Sequence, residues 1–189
     1  MTGGTEVKGI WFLSAQRYLR EAHGEDLVTT VAEAMLPEHR PIFVDALPGE
    51  WYPESALQDM LSVLYGQLAR GDDQVFVRFV EEASIYGTGR FFRVLLALAS
   101  SRFLLRRVPV LWDRMRRGGG RVEVDQDGAV TVLRYREFPY FDDPNYRLMT
   151  VGTIRGLCRV AGDQDPVVEI AEHGRDFLDV RVRHEAERR

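Results

Sequence analysis

Apolar residues recur at helical spacing through roughly the first 120 positions and at a spacing of two through most of the rest. Val7, Ile10, Trp11, Tyr18 and Ala22 lie on one helical face and Gly24 supplies a stop, so the pattern predicts a first helix over 7–22. A second short helix is expected from Glu25 to Met35, closed by Pro37. The stretch onward to Pro53 holds Pro41, Pro48 and Gly49 without a sustained period, and reads as a connector long enough to carry local structure. Ser55 followed by Gln58 has the form of a capping box, ahead of a stripe made by Leu57, Met60, Leu61, Leu64 and Leu68. From Asp73 another face forms with Phe76, Phe79, Val80, Ala83 and Tyr86, closed by Gly87. Over 90–107 the stripe Phe92, Leu95, Leu96, Ala99 and Phe103 is flanked by Phe91, Val94, Leu98 and Leu105, the pattern of a helix buried at a domain centre. Pro109 then opens a short helix over 110–117, which Gly118, Gly119 and Gly120 terminate.

Beyond the glycines, Val122 and Val124, the turn Asp127-Gly128, and Val130 and Val132 alternate as a hairpin. Asp143-Pro144 reads as a cap and first turn before a helix over 146–161, stopped by Gly162. A second alternating pair, 166–172 and 176–184, surrounds Gly174, with Val168 and Ile170 on one face and Leu178, Val180 and Val182 likewise. The expected fold is α+β, a single domain over 1–189, in which a helical part (about 7–117) packs on a C-terminal antiparallel sheet of about four strands. Two hairpins with an intervening helix make up that second part, about 121–184.

Composition narrows the class. The chain has 189 residues, 45% hydrophobic and 29% charged, with a net charge of −4, enough for one self-sufficient core. One cysteine, Cys158, makes no internal disulfide, which fits a reducing cytoplasm. The opening MTGGTEVKG has no basic stretch followed by an apolar one, and no apolar run approaches the ~20 residues that span a bilayer.

Candidate chemistry is sparse. His23, His39, His173 and His184 lack a second histidine or a cysteine at metal-ligand spacing, so no metal is expected. Glu169, Glu172, His173 and Asp176 cluster about the last hairpin, as a solvated turn does. There is no Gly-x-Ser-x-Gly elbow, and the serines fall in or at expected helices. Lys8 is the only lysine, which excludes a P-loop, and the glycine clusters lack the strand and helix of a dinucleotide site. An enzyme is therefore not expected. Cys158 shares a face with Ile154, Leu157 and Ala161, as a core residue would, while Gly152 and Gly156 permit close packing. Charge is unevenly placed: Arg90, Arg93, Arg102, Arg106, Arg107, Arg114, Arg116 and Arg117 face the single acid Asp113. Arg102, Arg106, Arg107, Arg114, Arg116 and Arg117 form a candidate basic patch for nucleic acid or an anionic membrane, against the plainer reading that they pair with carboxylates of the same fold. Trp112 is expected as a core anchor beside Leu111 and Met115.

The opening VKGIWFLSAQRYLREAHGED, the step Trp51-Tyr52-Pro53-Glu54 and the run Tyr86-Gly87-Thr88-Gly89-Arg90-Phe91-Phe92 resemble the haem nitric-oxide-binding domains. The segment LLRRVPVLWDRMRRGGGRVEV and the closing hairpin are similar to the vinyl-reductase-type, TRAPP-like small-molecule-binding domains and a related myxobacterial family. The first resemblance implies a haem held by a histidine on a central helix and a Tyr-x-Ser-x-Arg step on its propionates. This chain has no histidine between His39 and His173, and Tyr135-Arg136 and Tyr146-Arg147 do not reproduce the step. What remains implied is a scaffold with a cavity between helices and sheet, open or filled by side chains, and no cofactor. The expected function is a non-enzymatic bacterial sensory or adaptor domain for a small apolar ligand or a protein partner. Homodimerisation is a further expectation carried by its sensor relatives. Trp11, Tyr18, Phe92, Leu96 and Phe103 are the candidate pocket residues.

Overall fold

The computed structural model describes residues 4–87 and 100–184. Its first element is a strand, β1 (Glu6–Lys8), and helix α1 follows over Ile10–His23. The expected first helix therefore starts three residues late. A Cβ on Gly9 would lie 2.1 Å from the Leu47 carbonyl oxygen, so the chain turns there against neighbouring backbone, and Val7 enters the core from a strand. Helix α2 spans Glu25–Ala34. The connector carries helix α3 (Arg40–Asp45) and strand β2 (Trp51–Pro53).

Strand β2 runs directly into helix α4 (Glu54–Leu64), with Pro53 as its N-cap and no side-chain cap bond. The capping-box expectation fails for that reason: Ser55 already lies in the first turn, and Gln58 donates to Asp143 Oδ2 (2.9 Å). After a π turn over Tyr65–Ala69, helix α5 spans Asp73–Gly87. Helices α6 (Ser101–Leu105) and α7 (Val108–Met115) follow, and Arg116–Arg117 is strand β3, not the end of a helix. Strands β2, β1 and β3 make a small antiparallel sheet in that order, with Val7 opposite both Tyr52 and Arg116.

The C-terminal part follows the two-residue period. Strands β4 (Arg121–Asp127) and β5 (Val130–Arg136) pair about Gly128, helix α8 spans Pro144–Val160, and β6 (Val167–His173) and β7 (Leu178–Arg183) close the chain. The four strands form one antiparallel sheet, ordered β4-β5-β7-β6. Leu133 and Tyr135 on β5 and Leu178, Val180 and Val182 on β7 point into the core. Asp143 caps α8 by accepting from Asn145 N–H (2.8 Å). Gly152 and Gly156 let α8 lie on α5, since a Cβ on Gly152 would stand 2.7 Å from Val80 Cβ.

Candidate functional site

Between the helices and the sheet lies a cavity of about 530 Å³. Trp11 from α1, Leu61 from α4, Phe79 and Ala83 from α5, Leu111 and Met115 from α7, Tyr135 from β5 and Ile154 from α8 all line it. Each comes from the apolar face that the helical or alternating period creates, so the cavity is the place where several such faces meet without closing. Its walls are overwhelmingly apolar. Leu111 lines it and is 37% exposed, which brings the cavity to the surface at α7.

Arg116 is the charged side chain among the described lining residues. Strand alternation turns it inward, to 6% exposure, while Arg117 turns outward to Glu6. Its Nε donates to Glu54 Oε1 (3.2 Å), and Glu54 is wholly buried. Tyr146 hydroxyl donates to the same carboxylate oxygen (2.9 Å) and lies 3.1 Å from the Glu54 carbonyl oxygen. Burial, reinforced by the Glu54 charge, pushes the Tyr146 phenol well above its usual range. The guanidinium stands 4.5 Å from the Trp112 ring centroid and 5.1 Å from that of Trp11. Arg116 Nη2, Glu54 Oε2 and the indole nitrogens of Trp11 and Trp112 are buried without a hydrogen-bond partner.

The expected pocket residues separate. Trp11 lines the cavity, whereas Tyr18 packs on Phe79 and Tyr86 and is not among the described lining residues. Phe103 is 48% exposed, because α6 is a separate five-residue helix whose inward side is taken by Leu104 and Leu105. Phe92 and Leu96 lie outside the described residues. The wall residues Leu57, Leu61, Ala83 and Ile154 were legible as core positions but carry no sequence signal that separates wall from filling.

The basic patch separates as well. Arg116 is drawn into the core and Arg117 pairs with Glu6 beside the Trp51 ring. Arg106 donates to Gln126 Oε1, Arg107 stands over the Phe103 ring (5.1 Å), Arg102 lies on α6 and Arg114 on α7. Trp112 is a core anchor, edge-on to Tyr135 (5.4 Å) and Phe138 (5.0 Å).

Elsewhere the polar groups serve structure. His39 Nδ1 donates to Asp59 Oδ2 (3.0 Å), which also accepts from Leu36 N–H (2.9 Å), and Ser55 Oγ is 3.5 Å from His39 Nε2. This serine, histidine and aspartate clasp the α2–α3 turn to α4 and none lines the cavity. His184 lies within hydrogen-bond reach of Thr131 Oγ1 (2.7 Å) and Ser101 Oγ (3.2 Å). Glu169 pairs with Arg181 and Arg183 across the last hairpin. Cys158 is buried, and burial pushes its thiol up to about 12. Among the described residues no group of His, Cys, Asp and Glu could hold a metal ion, and no helix is long and apolar enough to cross a membrane.

No family model and no curated protein matches the sequence. Solved structures do match in fold. One is an oxygen-binding H-NOX domain related to soluble guanylate cyclases, in its oxygen complex: TM-score 0.68, 15% identity, 95% of each chain covered. The chain has the H-NOX fold. An H-NOX structure solved in work on haem distortion matches with TM-score 0.69 and 15% identity, over 95% of each chain. A mutant H-NOX protein of K. algicida, in the unliganded Fe(II) form, matches with TM-score 0.67 and 11% identity, over 96% of this chain and 98% of that one.

The residues of the cavity do not fit a haem. Iron is held by imidazole, thiolate, phenolate or a thioether working with imidazole. No histidine or cysteine is among the described lining residues, and the segment 88–99, TGRFFRVLLALA, contains neither in its sequence. Tyr135, the phenol among the described lining residues, packs edge-on against Trp112 and Phe141 in the aromatic cluster.

Proposed function

We propose that this chain is a non-enzymatic ligand-binding domain, a cytoplasmic sensory or adaptor module, whose core cavity takes a small apolar organic molecule in place of haem. The observation that carries this reading is the apolar cavity of about 530 Å³, within the ~300–1,000 Å³ range of small-molecule sites, on a fold shared with ligand-binding domains. Its walls supply dispersion contacts and exclude water, while the one charged lining group described is compensated within the protein. Walls this apolar favour binding by dispersion and water exclusion. A sensory role would pass occupancy to a protein partner through the α5, α7 and α8 walls.

Native mass spectrometry of the gently purified chain tests the reading and reports subunit number at once. A reproducible organic adduct is expected, smaller than haem, and lost in Ala83→Phe, which places a ring in the cavity while circular dichroism stays native. A haem adduct, or an adduct that persists at equal occupancy in Ala83→Phe, would overturn it.

A further inference from the structure

We propose that the ligand is an amphipathic monoanion, an alkyl carboxylate whose tail fills the cavity and whose head is held at the rim by Arg107 and Arg114. This deepens the reading of the cavity as an organic-ligand site and rests on it.

The argument begins with charge. The chain has 29 acids to 25 bases, and several described arginines find carboxylates, Arg20 with Glu25, Arg116 with Glu54, Arg136 with Asp179 and Arg155 and Arg159 with Glu81, while others, such as Arg17, Arg70 and Arg78, find none among the described residues. Arg102, Arg106, Arg107 and Arg114 form no ion pair among the described residues. What sets these four apart is that they are grouped within one stretch: Arg106 is engaged by Gln126 and Arg107 by the Phe103 ring, but no described carboxylate neutralises the group, whose positive field an external anion can meet.

Position then ties the cations to the cavity. Helix α7 contributes Val108, Leu111, Trp112 and Met115 to the walls. At ~3.6 residues per turn, Arg114 on that helix falls about 60° from Leu111, and Arg107, its N-cap, lies about 40° from Leu111 on the same side when the helical turn is continued back to it. Asp113, the acid in the segment, falls on the opposite side, about 160° from Leu111. Arg107 and Arg114 are both exposed, and Leu111 between them is the half-exposed residue through which the cavity reaches the surface. Guanidinium groups above an apolar opening match a carboxylate above an alkyl chain, because the fork of N–H donors meets the two oxygens while the stem covers apolar surface. Val110 beside them is also exposed, which extends the apolar collar.

Calorimetric titration of the full chain at physiological salt, with dodecanoate and with 1-dodecanol as its neutral counterpart, tests the assignment. Dodecanoate is expected to bind at least tenfold more tightly. The double variant Arg107→Gln/Arg114→Gln, which alters exposed side chains and should keep the wild-type unfolding midpoint, is expected to erase that preference while leaving dodecanol affinity unchanged. Equal binding of the two probes to the wild type overturns the head-group assignment and leaves the apolar site standing. Binding of neither overturns both. A preference that survives the double variant places the carboxylate elsewhere and overturns the proposal. Arginine-dependent binding to phosphatidylglycerol vesicles, without a dodecanoate preference, assigns the arginines to a membrane surface and likewise overturns it.

Discussion

Replacing Glu54 by leucine while keeping Arg116 would strand a guanidinium whose side chain is only 4% exposed. Solvent screening is negligible at that burial, so the loss belongs to the class of broken buried pairs, about 3–5 kcal/mol. For a chain of this length each kcal/mol moves the melting temperature by about 2–4 °C, which gives a fall of roughly 6–20 °C. Replacing both members, Glu54→Leu with Arg116→Met, has a different sign. It removes the pair together with Arg116 Nη2 and Glu54 Oε2, which have no partner in the native fold and carry a desolvation cost of about 1–3 kcal/mol each. Tyr146 keeps the Glu54 backbone carbonyl as an acceptor, because that oxygen survives the substitution. The double variant should therefore unfold at or above the wild-type midpoint, by up to about 4 kcal/mol. Urea unfolding followed by circular dichroism, run as a double-mutant cycle, measures this. A Glu54→Leu loss under about 1 kcal/mol, or a double variant as unstable as the two singles added, would refute the assignment of a dry, mutually dependent pair.

Other consequences follow from particular sites. Burial chiefly, helped by the Arg102 charge and opposed by Asp163, lowers the His184 pKa below its usual 6.5. As pH falls the unfolded chain takes up that proton first, so the contribution is complete above about 6.5 and is lost as pH drops through the folded value. His184→Gln should flatten the urea midpoint against pH in that window, and an unchanged slope would remove His184 as its source. Gly152→Ala puts a Cβ 2.8 Å from the Val77 carbonyl oxygen, backbone that cannot swing aside, and should cost about 1–3 kcal/mol by the same unfolding assay. A neutral result would mean that α8 slides freely on α5. Cys158, its thiol pushed up to about 12, should resist an aromatic disulfide reagent at pH 8 until urea unfolds the chain. Reaction in the native protein at a free-thiol rate would contradict its burial.

Periodicity made α2, α5, α8 and both hairpins legible, because each buries one continuous face and a face of the right period has one way to be buried. The three-stranded sheet was not legible. Its strands are two or three residues long, and Glu6–Lys8 or Arg116–Arg117 cannot display a period; pairing across the chain, with Val7 opposite Tyr52 and Arg116, defines them. That sheet decides the site. Continued as helix, as the sequence suggests, Arg116 and Arg117 would both belong to a surface patch; as strand, one turns inward to Glu54 and the other outward to Glu6. Cavity walls were hidden for another reason. Ala83 and Ile154 look the same in sequence whether the space before them is filled or not, since the volume between faces depends on how α5, α7 and α8 are splayed.

The size of that space constrains what the molecule can be. Left unfilled, a cavity of about 530 Å³ leaves its apolar walls without partner atoms on one side and forfeits the dispersion contacts a packed core would make. Water offers little relief, because an apolar cavity gives it few partners. Because the cavity already reaches the surface at Leu111, a guest can enter and restore those contacts. A guest present at a hundred times its dissociation constant adds about 2.7 kcal/mol, or roughly 5–11 °C in melting temperature. Dodecanol, which addresses the walls alone, should produce that shift in a thermal melt of the wild type and none in Ala83→Phe. A wild type indifferent to every apolar guest would mean that the walls close on themselves in solution, and that this fold has kept the outline of a ligand-binding domain while filling its interior.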